Sequence, residues 1–428
     1  MTVNIITLGC SKNLVDSEHL LYQFRAAGYK VLHDAYAAPA DLVIINTCGF
    51  ILDAKEESIE TILAFLEEKK KGKVGKLFVM GCLSERYREE LQSELPEADG
   101  FFGVWELAGI LKEAGTILDQ RLLQKRVITT PSHYAYLKIS EGCNRTCSFC
   151  AIPGIRGVQQ SVSIEDLVQE STNLAAMGVK ELILIAQDLT NYGIDLYQRR
   201  ALPELLKALV KIEGVEWIRL HYAYPTGFPE EVIEIMASEE KICNYLDIPI
   251  QHINDDVLSA MGRGHGRLKL EQLLERFREK IPDVALRTTV MTGFPGESEE
   301  AFRELLDYIS KTRFDRLGVF PYSHEEDTPA YGTSKDFIPS KIRLERAEAV
   351  MELQQKISLE LNRQRVGRKF RVLIDRKDED YYYGRTQYDS PEVDNEVLIP
   401  AERTLDVGSF YNVKITGAAE FDLFGTVE

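Results

Sequence analysis

The chain has 428 residues, 44% of them apolar and 28% charged, with a formal net charge of −17. That length exceeds one ordinary core and points to two or three domains. The acidic balance argues against a general nucleic-acid binder, whose footprint is basic, and fits a basic partner or a plain solubility surface. No apolar run approaches the length of a membrane span. The opening Val3–Leu8 reads as a strand, not a secretory signal, so the expected setting is cytoplasmic. Seven cysteines in such a chain read as metal or catalytic ligands before disulfides.

Residues 1–125 alternate short apolar runs with amphipathic stretches. Asn4–Leu8 precedes a helix-like Asn13–Ala27, Leu42–Asn46 precedes Ala54–Lys71, and Leu77–Met80 precedes Glu85–Leu95. Such alternation predicts a doubly wound parallel sheet, whose ligands gather outside the carboxyl ends of its strands. Cys10, Cys48 and Cys82 each follow one of these strands. Singly, each is an ordinary core cysteine, since free Cys is often buried. Sharing one topological position, they can converge as three ligands with an open position. Gly9, Gly49 and Gly81 beside them would let the backbone come close to a bulky group. The run Lys69-Lys70-Lys71-Gly72-Lys73 reads as a solvated helix end: its lysines complement the helix dipole, and Glu67 and Glu68 dilute any basic patch.

After the strand-like Tyr134–Ile139 comes Glu141-Gly142-Cys143-Asn144-Arg145-Thr146-Cys147-Ser148-Phe149-Cys150. Three thiols at this spacing can ligate three corners of a cubane iron–sulfur cluster and leave the fourth iron open to a small molecule. A structural zinc site wants four ligands, and the fourth is missing nearby; His133 lies beyond the strand. Three buried, inert cysteines are the other rival. Cys-x-x-x-Cys-x-x-Cys with an aromatic and a small apolar residue resembles the radical S-adenosylmethionine superfamily. The resemblance implies that Cys143, Cys147 and Cys150 hold a 4Fe–4S cluster whose open iron chelates S-adenosylmethionine. It implies cleavage of that cofactor to a 5′-deoxyadenosyl radical by one electron, with Phe149 or Ile152 against the adenine.

Strand and helix patterns continue: helix Ser163–Met177 with Ser163 as N-cap, then Glu181–Ala186, Pro203–Lys211, Trp217–His221, Glu230–Ala237, Tyr245–Ile248, Leu270–Lys280, Ala285–Met291, Glu299–Ser310 and Arg316–Phe320. Six strands in βα units predict a full or partial barrel with its active site at the carboxyl ends. Gln187 and Asp188, His221, Gln251 and His252, Thr292 and Gly293, and Tyr322 fall there. The superfamily resemblance implies a partial (βα)6 barrel with the cofactor across the strand ends. Gly293-Phe294-Pro295-Gly296-Glu297 occupies the place of its glycine-rich motif. Gln187, Gln251 and Arg287 are the expected polar contacts to S-adenosylmethionine, each with a satisfied strand-end residue as the plain reading. Cys243 reads as core or surface.

Pro339 and Ser340 open a long helix whose Val350, Leu353, Ile357 and Leu361 keep helical spacing, a strap packed on the barrel. Five short strands then predict a small antiparallel β-barrel: Phe370–Ile374, Tyr381–Gln387, Glu396–Ile399, Tyr411–Ala418 and Gly425–Val427. Residues 365–428 carry nine Lys or Arg against thirteen Asp or Glu. This module would repel RNA on average and attract a cationic protein. Asp378-Glu379-Asp380 is either one such contact or a solvated hairpin tip.

The opening Gly9-Cys10-Ser11-Lys12-Asn13 with Asp16-Ser17-Glu18 resembles the methylthiotransferases, and the terminal module resembles the TRAM module that ends that family. The resemblance spans the chain. It implies three α/β and β units: 1–125 with an auxiliary 4Fe–4S cluster on Cys10, Cys48 and Cys82; 126–364, the radical barrel with its linker helix; and 365–428, the TRAM module. Gln251-His252, where the tRNA-modifying members tend to show Gln-Ser-Gly-Ser, resembles the branch that modifies a small-subunit ribosomal protein. The implied reaction puts a methylthio group on the β-carbon of an aspartate. It needs two clusters, S-adenosylmethionine, an electron donor and a sulfur source. A tRNA adenosine substrate and a non-catalytic iron–sulfur carrier remain as alternatives; nucleic acid is disfavoured by charge.

Overall fold

The computed structural model describes residues 1–333 and 337–428. In the first unit, β1 (Thr2–Thr7), β2 (Lys30–His33), β3 (Ala40–Thr47), β4 (Val74–Gly81) and β5 (Gly100–Phe102) lie in the order β2-β1-β3-β4-β5, every neighbour parallel. β3 reads Leu42-Val43-Ile44-Ile45 without alternation because both its faces are covered, as parallel sheets require. Val43 and Ile45 pack with Ile62, Phe65 and Leu66, while Leu42 and Ile44 pack with Leu20, Leu21 and Phe24 of α1 (Ser11–Ala26). The strand order reverses between β1 and β3, which opens a crevice at their carboxyl ends. Cys10 follows β1, Cys48 follows β3 and Cys82 follows β4. The expected helix Glu85–Leu95 is instead two, Cys82–Arg86 and Arg88–Glu94, broken at Tyr87.

The middle unit is a six-stranded sheet of Tyr134–Lys138, Glu181–Ile185, Trp217–Leu220, Ile242–Asp247, Ala285–Thr292 and Arg316–Pro321, in chain order and parallel throughout. Helices cover its outer face. Ser163 Oγ accepts the Asp166 N–H at 3.1 Å, and Ser298 Oγ accepts that of Ala301 at 3.1 Å, which starts two of them. Helix Ser340–Arg363 lies across the sheet, with Val350 and Ile357 in the main core and Leu353 and Leu361 packed against it. Ion pairs, one buried and one half-buried, join the first unit to the second. Arg126 Nη1 meets Glu18 Oε2 at 3.0 Å, and Lys138 Nζ bonds Asp16 and Glu141.

The last unit closes as a five-stranded barrel, Lys369–Lys377, Tyr381–Arg385, Glu396–Pro400, Asp422–Val427 and Phe410–Ala418. It is not wholly antiparallel: Glu396–Pro400 pairs parallel with Asp422–Val427. The unit caps the amino-terminal end of the middle sheet, where Trp217, Cys243 and Ala285 join its apolar core. Residues 385–394 fill the space inside that sheet and reach at least one residue of every strand. Tyr134 Oη donates to Glu392 Oε1 at 3.1 Å, Glu181 Oε2 accepts from Arg385 at 2.8 Å, and Arg219 Nη1 donates to the Gln387 carbonyl at 2.7 Å. Tyr245 Oη donates to Asp394 at 2.7 Å, Arg287 Nε meets Asp394 at 3.3 Å, and Arg316 Nε meets Asp389 at 3.0 Å.

Two charged runs are local. Lys70 and Lys71 pair with Glu67 and Glu68, each at 2.8 Å, and Lys73 also pairs with Glu68. Asp378 is a hairpin tip: its carboxylate accepts the Asp380 and Tyr381 N–H groups at 2.9 and 2.8 Å and the Tyr383 hydroxyl at 2.6 Å.

Candidate metal centre

Six of the seven cysteines line one cavity of about 350 Å³. Cys10, Cys48 and Cys82 descend into it from the sheet of the first unit. Cys143, Cys147 and Cys150 rise from the loop after the first strand of the middle unit. Backbone bonds pin that loop: Cys143 N–H donates to the Gly157 carbonyl at 3.0 Å, Ser148 N–H to that of Met261 at 2.9 Å, and Cys150 N–H to that of Cys147 at 3.1 Å. Gly9 (φ +85°) and Gly81 (φ +97°) take the left-handed backbone that favours glycine. A Cβ at Gly9 would lie 2.7 Å from the Cys48 Cβ, and one at Gly81 would lie 2.5 Å from Asn46 Oδ1. A Cβ at Gly49 would lie 2.7 Å from the Leu83 backbone. These glycines therefore let the segments that carry the three cysteines pack closely against one another.

The thiols influence one another within each set. Burial pushes Cys82 up to about 11, with Cys10 and Cys48 adding to the effect. Burial likewise pushes Cys143 up to about 11 and Cys150 up to about 12, with Cys147 adding to both. Iron binding to these groups would therefore release protons. Cations stand against the sulfurs: Arg156 Nε donates to Cys82 Sγ at 3.3 Å, and Arg263 Nη1 to Cys147 Sγ at 3.4 Å. The Tyr224 hydroxyl lies 3.7 Å from Cys147 Sγ and donates to the Arg263 carbonyl at 2.7 Å. Among the described residues, no three His, Cys, Asp or Glu side chains close on a single ion. What the chain offers is two sets of three sulfurs, a donor set that suits clusters sharing several irons.

Phe149, Ile152, Gln187 and Gln251 line the same cavity. Gln187 Nε2 donates to Glu141 Oε1 at 2.5 Å, while its buried Oε1 has no partner among the described residues. Gln251 holds a left-handed backbone at φ +69°, fixed by its N–H to the Thr289 carbonyl at 2.9 Å and its carbonyl to the Met291 N–H at 2.7 Å. A non-glycine residue kept there marks local strain.

Arg287 and Gly293 do not line the cavity. Arg287 is spent on Asp247 at 3.1 Å and Asp394 at 3.3 Å, at the end filled by the last unit. Gly293 gives its N–H to Glu297 at 2.7 Å, and a side chain there would run into Arg343. Of the other strand-end residues, Asp188 binds Arg145 at 2.6 Å. His221 is buried against Ser390 at 2.9 Å, and burial, then Arg219, Arg287 and Lys12, hold it well below its ordinary value. His252 is buried, its Nδ1 accepting the Asn254 N–H at 3.0 Å. Thr292 bonds the Arg343 carbonyl at 3.1 Å. Tyr322 packs with Phe149 in a small apolar cluster. Cys243, read from sequence as core or surface, is core.

Sequence reasoning missed the cavity's cations Lys12, Arg145, Arg156 and Arg263 and its rings Tyr222 and Tyr224. Lys12 lies two residues after Cys10 and Arg145 two after Cys143, and that adjacency was the available signal.

Residues 137–309 match the radical SAM superfamily, residues 2–103 the uncharacterized protein family UPF0004, and residues 366–427 the TRAM domain. The chain is 55% identical over 424 residues to the ribosomal protein uS12 methylthiotransferase RimO of Christiangramia forsetii, covering 99% of this chain and 93% of that one. It is 54% identical to the protein of the same name from Flavobacterium psychrophilum, covering 99% and 97%. Two solved structures share the fold. One is the radical S-adenosylmethionine methyltransferase TsrM from Kitasatospora setae, with cobalamin and a 4Fe–4S cluster bound (TM-score 0.57, 14% identity, 89% of this chain and 80% of that one). The other is the cobalamin-dependent S-adenosylmethionine radical enzyme OxsB (TM-score 0.54, 12% identity, 82% and 56%).

Proposed function

The chain belongs to the RimO family of ribosomal protein uS12 methylthiotransferases, radical SAM enzymes that end in a TRAM domain, and on that footing we propose that it adds a methylthio group to the β-carbon of an aspartate of uS12. The family carries a 4Fe–4S cluster and S-adenosylmethionine. We assign that cluster to Cys143, Cys147 and Cys150, and a second, sulfur-carrying cluster to Cys10, Cys48 and Cys82. The observation that carries the reading is that both cysteine sets line one cavity.

When bound, the clusters and S-adenosylmethionine supply the radical and the sulfur, which side chains cannot, because the β C–H is too weakly acidic for a general base. The chain's own residues hold and shield. Arg156 and Arg263 place positive charge against Cys82 and Cys147. Phe149 and Ile152, with Phe50 and Pro249, make an apolar wall, and Gln187 and Gln251 offer amide groups to a polar ligand. Arg287 and Gly293 are not among these contacts. We place the unit boundaries after residues 125 and 364, between the three sheets.

The reaction also requires an electron donor and a sulfur source. A basic ribosomal protein suits a chain of net charge −17. No helix among the described residues is long and apolar enough to cross a membrane.

The test is an anaerobic assay of the reconstituted protein with S-adenosylmethionine and reductant, offering uS12 or unmodified tRNA in separate tubes. Mass spectrometry is expected to find a methylthio gain on an aspartate of uS12 and none on tRNA. A gain on tRNA alone would overturn the substrate. Cofactor cleavage with neither modified would overturn the reaction.

A further inference from the structure

Among the described residues, four cations line the cavity, Lys12, Arg145, Arg156 and Arg263, and no Asp or Glu does. Three are engaged. Arg145 Nε meets Asp188 at 2.6 Å, Arg156 Nη1 meets Glu141 at 2.7 Å, and Arg263 Nη2 donates to the Pro249 carbonyl at 2.6 Å. Lys12 is 7% exposed and pairs with no carboxylate among the described residues; its Nζ lies 3.2 Å from the centroid of the Tyr222 ring. A ring face offsets part of the loss of water around an ammonium, but a buried charge still calls for an opposite one.

Local structure does not explain this lysine. It lies in the first turn of α1, where the helix dipole disfavours a cation. The platform beneath it is itself strained. Tyr222 takes φ +62°, with its N–H held by Asp247 Oδ2 at 3.2 Å and its carbonyl by the Leu189 N–H at 3.3 Å. Such a backbone persists only where the surroundings fix it.

We infer that Lys12 recognises the side-chain carboxylate of the substrate aspartate and so holds the adjacent β-carbon inside the cavity that both cysteine sets line. The inference rests on the proposed reaction, whose substrate carries that anion one bond from the reacting carbon. It makes the enzyme selective for aspartate over asparagine through one buried charge pair.

The test is a double-mutant cycle on the reconstituted holoenzyme: wild type, Lys12→Met and Lys12→Arg, each with uS12 carrying Asp or Asn at the modified position. Anaerobic anisotropy reads the dissociation constants. Iron content and S-adenosylmethionine affinity are measured on every variant. Wild type is expected to prefer the Asp form by about tenfold, Lys12→Met to lose that preference, and Lys12→Arg to keep most of it. A preference kept in Lys12→Met, or absent in wild type, would overturn the inference. So would a Lys12→Met defect confined to cofactor affinity or to iron content, which would give the lysine to those groups. If wild type fails to methylthiolate uS12 at all, it is the proposed reaction that fails.

Discussion

Arg156 reaches Cys82 across the boundary between the two cysteine sets, its Nε donating to the sulfur at 3.3 Å while its Nη1 holds Glu141, two residues before Cys143, at 2.7 Å. Burial raises the Glu141 carboxyl, but Lys138 and Arg156 outweigh that and hold it well below the carboxylate range. One guanidinium thus braces both sets. Arg156→Met is expected to weaken iron binding by roughly 10- to 100-fold, as loss of a residue hydrogen-bonded to a metal ligand typically does. Iron and sulfide analysis after reconstitution checks it, and full retention would refute the bracing role.

The two sets are expected to separate by function. Cys82→Ala should abolish methylthio transfer yet leave reductant-dependent cleavage of S-adenosylmethionine. Cys147→Ala should abolish both. Chromatography of the nucleoside product beside mass spectrometry of uS12 makes the distinction. Equal loss of cleavage in both variants would contradict the assignment.

Gly9→Ala should behave as a mild form of Cys82→Ala. The φ of +85° costs a side chain about 1–2 kcal/mol, and the new methyl would press on the Cys48 Cβ, 2.7 Å away. The expected result is iron loss from the first unit with cofactor cleavage kept, read by iron content and product analysis.

Stability should report the charged interior beneath the cavity. Arg385→Met leaves Glu181, wholly buried, with Arg219 as its remaining partner, and is expected to cost about 3–5 kcal/mol in urea unfolding. Arg376→Ala breaks an exposed pair with Glu396 and should cost about 1 kcal/mol or less. Similar values for the two would contradict a structural role for the interior network.

Acid should begin to destabilise the chain near pH 6.5, above the ordinary carboxylate range. Burial lowers His252 and His265 to about 4, against about 6.5 unfolded. Because the folded values are depressed, the stability these residues contribute is present above about pH 6.5 and is lost as pH falls toward about 4. His252 Nδ1 must stay unprotonated to accept the Asn254 N–H. Urea midpoints should therefore drop between pH 6.5 and 4, and His252→Gln should flatten the drop.

The elements around the site were legible because their signals are local. Strands ending in Cys10, Cys48 and Cys82, the Cys143–Cys150 spacing and the six βα units all recur in the structure. β2 and β5 were missed, being short and, in β2, only partly buried. Arg287 faces Asp394 instead of the cavity, because a strand position does not say which end of a barrel a long side chain serves; residues far along the chain decide that. The parallel pairing of Glu396–Pro400 with Asp422–Val427 is a closure that alternation of apolar residues cannot distinguish from its antiparallel counterpart.

Residues 385–394 come after all six strands whose interior they fill. During synthesis the middle unit emerges with Glu181, Arg219, Arg287 and Arg316 lacking these partners, and a half-satisfied buried network is worse than none. The middle unit's final packing thus waits for translation of the last unit. A chain cut short before residue 385 should therefore be a target for proteases and chaperones, its inner sheet face left with charges that have lost these partners.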